Sequence, residues 1–335
     1  MLGNNGSGQL GDNSTTQRLT PVTVYGTYAV SRVVKISGGT THTCATLSDG
    51  TAKCWGDNAY GQLGDNSTTQ RLTPVAVSGL SNAISISAGN AHTCATLSDG
   101  TARCWGWNGA GQLGDNSTIQ RNTPVTVSGL SNAVSISAGK NNHTCATLSD
   151  GTARCWGYNG NGQLGDNSQT QRNTPVTVSG LSNTVSISAG YAHTCTALSD
   201  GTARCWGYNL FGQLGDNSTT DRLIPVTVSG LSNAASISIG GFHSCVTLSN
   251  GTARCWGSNT SGRLGDNSTT QRNTPVTVSG LSNAVSISAG KAHTCATVSD
   301  GIGKCWGDNE GGQIGDNSTT NRLTPVTVYG SDSGW

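Results

Sequence analysis

Cysteine and histidine recur in this 335-residue chain at a spacing that could support two kinds of chemistry. The twelve cysteines form six pairs, ten residues apart within each pair, and each of the six histidines stands two residues before a pair. Thiolate and imidazole groups are zinc ligands. Two cysteines that face each other on neighbouring strands can instead form a disulfide. The residues around each pair therefore have to indicate whether the cysteines bind a metal or form a disulfide.

The residues between paired cysteines predict a tight β-hairpin. An Asp-Gly dipeptide follows a serine there, which suits a type I turn and a left-handed glycine in a three-residue loop. In the first copy this turn aligns Leu47 with Thr51, and alternation along the strands then places the two cysteines opposite each other. We expect six disulfides: Cys44–Cys54, Cys94–Cys104, Cys145–Cys155, Cys195–Cys205, Cys245–Cys255 and Cys295–Cys305. Zinc and free core thiols are the alternatives, but structural zinc sites typically use Cys-x-x-Cys knuckles.

The histidines all occupy one position of the repeat: His42, His92, His143, His193, His243 and His293. A catalytic triad needs a single constellation rather than six equal ones. We therefore expect each imidazole to bond to neighbouring backbone, and we predict a protein with no enzymatic activity, no cofactor and no metal.

These residues belong to a repeat whose first cysteine recurs every 50 or 51 residues. Each copy contains four short runs that suit strands, of which Ile84-Ser85-Ile86-Ser87 shows the clearest alternation. Four strands in about 50 residues is the pattern of a β-propeller blade. A proline opens the fourth run in every copy, which places that run at an outer edge where no backbone N–H is needed. The sequence therefore predicts an all-β propeller of four-stranded blades.

The motifs W-G-x-N-x-x-G-Q-L-G, P-V-x-V and S-A-G-x-x-H-T resemble the regulator of chromosome condensation repeat over nearly the whole chain. The resemblance implies a β-propeller, seven-bladed in known members. The family includes guanine nucleotide exchange factors, a plant UV-B photoreceptor and a secreted inhibitor of β-lactamases. The resemblance therefore implies several different functions and does not select one of them.

We predict a single domain that spans residues 1–335. The motif counts allow two arrangements of its blades. The Cys-Trp hairpin occurs six times and the Pro-Val strand seven times. We divide the chain into a partial repeat at 1–30, full repeats at 31–330 and a tail at 331–335. Six complete blades plus half a repeat is the preferred arrangement, with the half repeat competing for a shared edge. Seven-bladed closure is the alternative.

Other repeated polar residues are predicted to be framework. Asp65 and Asn66 belong to a recurring Gly-Asp-Asn-Ser motif, where Asx turns are favoured over calcium binding. Arg71 and its equivalents follow each motif and should form local ion pairs with its aspartate. Trp55 and its equivalents should be buried between blades.

Composition and charge narrow the class of protein. The net charge of +1, with 10% charged residues, excludes a strongly basic nucleic-acid binder. No apolar run is long enough for a transmembrane helix, so membrane insertion is not expected. Disulfides indicate an oxidising compartment. We therefore expect an extracellular or cell-surface protein whose signal peptide, absent from this chain, has been trimmed.

The copies differ from one another mainly in two links, after Trp-Gly and between Ala-Gly and His. In a four-stranded meander both links lie at the same end, so they map to one face of the propeller. Exposed aromatic residues on rigid loops are typical of binding surfaces. The predicted ligand-binding face comprises Asp57, Tyr60, Trp107, Lys140, Tyr158, Tyr191, Tyr208, Phe211, Phe242 and Lys291.

We expect this face to bind a macromolecule, with a protein favoured over a glycan. A regulator that resembles the guanine nucleotide exchange factors is one alternative, although the repeats contain no long insertion to act as a wedge. Self-association through the terminal half repeats is another. Drift in solvent-facing loops would explain variation without a ligand, but it would favour small polar residues rather than aromatic ones.

Overall fold

The computed structural model describes residues 2–26 and 31–330 and holds, within them, six antiparallel sheets of four strands each. Each sheet is a meander in which consecutive strands pair. We number these sheets blades 1 to 6 in chain order. The prediction of an all-β propeller with six four-stranded blades is confirmed. The predicted tail at 331–335 and part of the predicted half repeat, residues 1 and 27–30, lie outside the described residues.

The strands follow one another with the same lengths in every blade. Blades 1 and 2 comprise β1 (Val33–Gly38), β2 (His42–Leu47), β3 (Ala52–Gly56), β4 (Arg71–Ala76), β5 (Ala83–Ala88), β6 (His92–Leu97), β7 (Ala102–Gly106) and β8 (Arg121–Thr126). Blades 3 and 4 comprise β9 (Ala133–Ala138), β10 (His143–Leu148), β11 (Ala153–Gly157), β12 (Arg172–Thr177), β13 (Thr184–Ala189), β14 (His193–Leu198), β15 (Ala203–Gly207) and β16 (Arg222–Thr227). Blades 5 and 6 comprise β17 (Ala234–Ile239), β18 (His243–Leu248), β19 (Ala253–Gly257), β20 (Arg272–Thr277), β21 (Ala284–Ala289), β22 (His293–Val298), β23 (Gly303–Gly307) and β24 (Arg322–Thr327). A 3-10 turn at Thr260–Gly262 precedes β20.

The fourth strand begins earlier than predicted, at Arg71 rather than at Pro74 in the first blade. Cys54 pairs with Val75 and Gly56 with Arg71, so the register shifts between them. The register shift interrupts the hydrogen-bond ladder here, and the strand lies at the edge of its sheet. No backbone N–H is therefore needed at the proline. A proline can therefore lie inside the outermost strand of each blade.

The predicted hairpin register is confirmed. Leu47 N donates to Thr51 O over 2.9 Å, and Cys44 and Cys54 are paired with their Cα atoms 4.1 Å apart. All six predicted disulfides are present, and none of the twelve cysteines is free. Each bridge closes a short loop and should contribute about 2–3 kcal/mol.

The recurring Gly-Asp-Asn-Ser loops are held by Asx turns and ion pairs, as predicted. Ser67 N donates to Asp65 Oδ1 over 3.2 Å, and Asn58 Nδ2 donates to the same oxygen. Burial raises the pKa of Asp65, but hydrogen bonds from Ser67 and Arg71 outweigh it and the pKa is lowered. The ion pairs, with N–O distances of 2.6–2.9 Å, are Arg18–Asp12, Arg71–Asp65, Arg121–Asp115, Arg172–Asp166, Arg222–Asp216, Arg272–Asp266 and Arg322–Asp316.

Successive blades pack through a buried tryptophan, as predicted. Trp105 on β7 is fully buried against blade 1, and its Nε1 donates to Gln62 O over 3.0 Å. It lies in one apolar cluster with Ile86 of its own blade and the Cys44–Cys54 disulfide of the preceding one. The hydrophobic core is therefore a series of layers between blades rather than one central mass.

The histidines also join neighbouring blades, but not through the predicted backbone partner. Thr93 Oγ1 donates its only proton to Gln62 O over 2.8 Å, so His42 Nε2, 2.8 Å away, must donate to Thr93. This bond places a proton on Nε2, so the neutral imidazole is the Nε2-protonated tautomer. The same tie is made by His42–Thr93, His92–Thr144, His143–Thr194, His193–Ser244 and His243–Thr294.

Burial keeps these imidazoles uncharged well below neutral pH. Desolvation lowers the pKa of His42 to about 4 and the pKa of His92 to about 3. Their Nδ1 atoms are buried without a hydrogen-bond partner in the described part of the chain. A proton added there would create a buried charge with nothing to compensate it.

We expect the free energy of unfolding to fall as the pH decreases from about 6.5 to about 4. In this interval the unfolded chain protonates its histidines and the folded chain does not, so acid favours unfolding. The stabilisation is complete above the unfolded pKa, and each histidine adds about 1.4 kcal/mol per pH unit to the slope.

Urea unfolding at several pH values measures this slope. His92→Gln should lower it by about one proton, whereas an exposed Ile119→Thr substitution should leave it unchanged. A free energy of unfolding that stays constant over this pH range would contradict the neutral, Nε2-protonated state.

One disulfide differs from the others in exposure. Cys295 in blade 6 is only partly buried, whereas the other first cysteines are fully buried. Access limits thiol–disulfide exchange. We therefore expect a mild reductant to open Cys295–Cys305 before the equivalent Cys245–Cys255, as measured by timed alkylation and peptide mass. Simultaneous reduction of both pairs would show that the exposure difference is absent in solution.

Candidate ligand-binding face

The two kinds of variable link meet between blades 4 and 5, where four aromatic rings form a cluster. Phe242, from the β17–β18 link, lies 5.2 Å from Tyr191, 6.1 Å from Tyr208 and 5.3 Å from Phe211 between ring centroids. Tyr191 comes from the β13–β14 link, and Tyr208 and Phe211 come from the β15–β16 link. We call these four residues the aromatic cluster.

Backbone hydrogen bonds hold the aromatic cluster on defined loops. Tyr208 N donates to Ala192 O over 2.9 Å, which joins the two variable links of blade 4. Phe211 N donates to Gln213 Oε1 over 2.9 Å. Tyr191 is 43% exposed, and the other three rings are half-buried. The cluster therefore combines fixed backbone with accessible apolar surface.

Trp107 and Tyr158 occupy the same loop position as Tyr208 but point elsewhere. Each is followed two residues later by a glycine, and the ring lies back over it: an ideal Cβ on Gly109 would be 2.5 Å from Trp107 Cζ2. Leu210 stands at that position after Tyr208 and is 56% exposed. A side chain there leaves no room for the folded-back ring, so Tyr208 turns towards Phe242.

Asp57 and Tyr60 lie on the first blade, away from the aromatic cluster. Asp57 is half-buried, and its carboxylate accepts hydrogen bonds from Thr41 Oγ1 at 3.2 Å and Gln62 Nε2 at 2.9 Å. Tyr60 is 44% exposed. The Asp57 carboxylate therefore has internal partners, and the structure gives it a role in fixing its own loop.

The two predicted lysines differ in environment. Lys291 is exposed, whereas Lys140 is half-buried, and burial lowers the pKa of Lys140. Burial, followed by the charge of Lys140, lowers the pKa of His293 to about 4. The positive charge of Lys140 therefore disfavours protonation of His293.

Sequence analysis missed the glutamines beneath the variable aromatic residues. In blade 1, Gln62 Nε2 is bonded to Asp57, and in blade 6 Gln313 Nε2 is bonded to Asp308. Where an aromatic residue replaces the aspartate, the glutamine Nε2 is buried without a hydrogen-bond partner in the described residues, as in Gln112, Gln163 and Gln213. The sequence signal that could have revealed these glutamines is the replacement of the aspartate after Trp-Gly by an aromatic residue in the same copies.

The described residues contain no group of three or more His, Cys, Asp or Glu side chains that could hold a metal ion. Within the same residues, no helix has the length and apolar character needed to cross a membrane.

This geometry defines the class of protein. It is a propeller of near-identical blades whose loops vary in sequence on one face. The regulator of chromosome condensation (RCC1) repeat matches residues 1–46, 49–96, 99–147, 150–197, 200–247 and 250–297. The chain therefore belongs to the RCC1 repeat family, and the resemblance seen in the sequence is confirmed.

Solved structures share the fold at low sequence identity. Prp20p of Saccharomyces cerevisiae, described with its binding to Gsp1p and histones, is 20% identical with a TM-score of 0.87, over 99% of this chain and 86% of that one. Human WBSCR16 is 20% identical with a TM-score of 0.84, over 97% and 92%. The CRINKLY ectodomain of the Arabidopsis thaliana receptor kinase ACR4 is 21% identical with a TM-score of 0.53, over 91% and 85%. At these identities the likeness shows the fold alone.

We expect Phe242→Ala to lower the free energy of unfolding by about 1–3 kcal/mol, because aromatic pairs contribute about 0.5–1.5 kcal/mol each and Phe242 makes three contacts. Tyr60→Ala is the matched control, since Tyr60 has no ring contact with a described residue and its loss should cost less than about 0.5 kcal/mol. Urea unfolding of both variants measures the difference. Equal effects would mean that the rings do not pack in solution.

Proposed function

We propose that this protein is a non-enzymatic binding propeller of an extracellular or cell-surface compartment, and that it binds a protein ligand through the aromatic cluster. One observation carries the proposal. The rings of Tyr191, Tyr208, Phe211 and Phe242 pack together on loops held by hydrogen bonds, and the four side chains stay partly exposed to solvent. Rigid, partly exposed aromatic side chains supply large contact area at low entropic cost.

The unpaired glutamines support a functional origin for the aromatic substitutions. The aspartate at the Asp57 position satisfies a buried donor, whereas with Tyr208 at the same position Gln213 Nε2 has no hydrogen-bond partner among the residues that the structure describes. A buried donor without a partner costs about 1–3 kcal/mol. A fold loses stability by this exchange, and departures of this kind concentrate at functional surfaces.

The shape of the cluster favours a protein over a glycan. Its rings are tilted or edge-to-face, with interplanar angles of 53–71°, so they do not form a flat stacking platform. Leu210 beside them is 56% exposed and extends the apolar surface. Interlocking apolar side chains fit the anchor residues of a protein interface.

Six disulfides support the extracellular part of the proposal. Thiol-reducing systems keep cytosolic cysteines reduced, and the chain has no cysteine outside its six pairs. Prp20p, a propeller of the same fold, is described as binding the proteins Gsp1p and histones, which by analogy supports protein binding as the type of function.

The proposal is tested by comparative capture. Wild-type protein, Phe211→Ala/Phe242→Ala and Ile119→Thr are immobilised and exposed to extracellular proteins of the source organism. We expect a ligand that the wild type and Ile119→Thr retain and the double variant loses. Ile119 is an exposed apolar control, at 62% exposure, whose replacement restores the threonine found there in most copies.

Two outcomes would contradict the proposal, and they concern different parts of it. A ligand retained equally by all three proteins would remove the aromatic cluster as the site. Twelve reactive thiols after purification under native conditions would contradict the proposed oxidising compartment. Circular dichroism of the double variant separates loss of binding from loss of fold.

A further inference from the structure

Blade 5 differs from every other copy in the loop that follows its third strand. Arg263 stands at a position where the other copies have glutamine: Gln9, Gln62, Gln112, Gln163, Gln213 and Gln313. Arg263 is only 8% exposed, and its Nε donates to Thr260 O over 2.9 Å. None of the ion pairs in the described residues includes it. Blade 5 therefore buries a permanent positive charge that no carboxylate of this part of the chain neutralises by direct pairing.

Asp308 of blade 6 influences Arg263 without forming an ion pair with it. Burial lowers the pKa of Arg263, although the charge of Asp308 raises it. The Asp308 carboxylate accepts a hydrogen bond from Gln313 Nε2, as Asp57 does from Gln62 Nε2 in blade 1. Asp308 is thus bonded within its own loop, and the guanidinium of Arg263 keeps its two Nη groups for another acceptor.

The loop that carries Arg263 is bonded to the link that carries Phe242 of the aromatic cluster. Arg263 O accepts from Thr294 Oγ1 over 2.9 Å, and the same hydroxyl bonds to His243 Nε2 over 2.9 Å. Phe242 directly precedes His243 in the chain. Ser258 N, five residues before Arg263, donates to Phe242 O over 2.8 Å. The buried cation and the aromatic cluster therefore share one hydrogen-bonded framework.

Lys140 supplies a second cation on the other side of the aromatic cluster. Its backbone N donates over 2.8 Å to Gly190 O, and Gly190 directly precedes Tyr191. The side chain of Lys140 is half-buried and takes part in none of the ion pairs of the described residues. The aromatic cluster thus lies between a link with one unpaired cation and a loop with another.

The two cations contribute to one region of positive potential. Burial lowers the pKa of His293, and the charges of Lys140 and then Arg263 lower it further. Burial also lowers the pKa of His243, and the charges of Arg263 and Lys140 act on it in the same direction. Because the effect of a charge falls with distance, this potential is centred on the junction of blades 5 and 6.

Carboxylates at the loop end of blades 4 and 5 are already bonded elsewhere. Asp221 accepts from Asn209 N over 2.7 Å. Asp216 and Asp266 each form an ion pair with the arginine of their own loop. The aspartate that follows Trp-Gly in blades 1 and 6 is replaced by Tyr208 and Ser258 in blades 4 and 5. Both cations therefore lack an internal counter-ion at the place where the aromatic cluster is exposed.

We propose that the protein ligand of the aromatic cluster presents an acidic side chain, whose carboxylate binds the guanidinium of Arg263 with Lys140 as the second cation. This inference rests on the proposed function and adds the chemical class of the partner, a segment with Asp or Glu beside an apolar anchor residue. The Nη atoms of Arg263 are not among the fully buried donors that lack a partner, so a ligand can reach them. A guanidinium matches a carboxylate in bidentate geometry.

A phage-displayed library of random heptapeptides, selected on the intact protein, is the probe. We expect the enriched peptides to combine Asp or Glu with large apolar residues. In synthetic copies of these peptides, replacing the acidic residue by its amide should weaken binding about tenfold to a hundredfold, because charge-assisted hydrogen bonds are lost. Calorimetry or fluorescence anisotropy measures the affinities.

Protein variants locate the carboxylate. Arg263→Gln restores the residue of every other copy and should weaken the acidic peptides about tenfold or more, with the preference for apolar residues retained. Arg254→Gln is the matched control. It removes the same charge from the same blade, on strand β19 away from the loops, and should leave binding unchanged.

The results separate this inference from the proposed function. Enrichment of apolar residues without acidic ones, enrichment of no peptide, full binding by Arg263→Gln, or equal loss with Arg254→Gln overturns the carboxylate site. Acidic peptides that bind equally well to Phe211→Ala/Phe242→Ala would contradict the aromatic cluster as the site of the proposed function, while the dependence on Arg263 would still place the carboxylate.

Discussion

A single hydroxyl group at each junction constrains the rest of the structure. Thr93 Oγ1 donates to Gln62 O and accepts from His42 Nε2, so one atom ties the second strand of a blade to both the second strand and the loop of its predecessor. Gln62 O also receives the indole of Trp105. The histidine must stay neutral, the loop must keep its path, and the tryptophan must stay buried for this junction to exist.

Polar ties of this kind add to the packing of thin apolar layers. Hydrophobic residues make up only 33% of the chain, and each buried layer combines alanine and the cystine with a few leucine, valine and isoleucine side chains and one tryptophan. Disulfides restrict the unfolded chain, and satisfied buried hydrogen bonds select one arrangement of blades. Because this framework uses little of the loop face, the links there can vary without loss of the fold.

The framework is interrupted in two regions, and each interruption has a local physical cause. Beneath the loop face, aromatic residues replace an aspartate and leave Gln112, Gln163 and Gln213 without their partner. In blades 1 and 6, Ile36 is 48% exposed and Cys295 is half-buried, whereas their equivalents Ile86 and Cys245 are buried. A repeat protein makes such departures visible because every other copy supplies the reference state.

The sequence by itself determined the hairpins, their register and the disulfides, because the Asp-Gly turn and the two-residue period of a strand are local constraints. It also placed the variable residues on two links at one end of each blade. Tertiary structure decided the rest. Pro74 lies inside a strand because that strand bulges where it pairs with β3, and His42 bonds to a threonine 51 residues away. Tyr208 turns into the aromatic cluster, unlike Trp107, because Leu210 blocks the alternative and Phe242 of the next blade offers a partner. Contacts between blades are not encoded in the spacing within one repeat, so only the assembled ring could decide them.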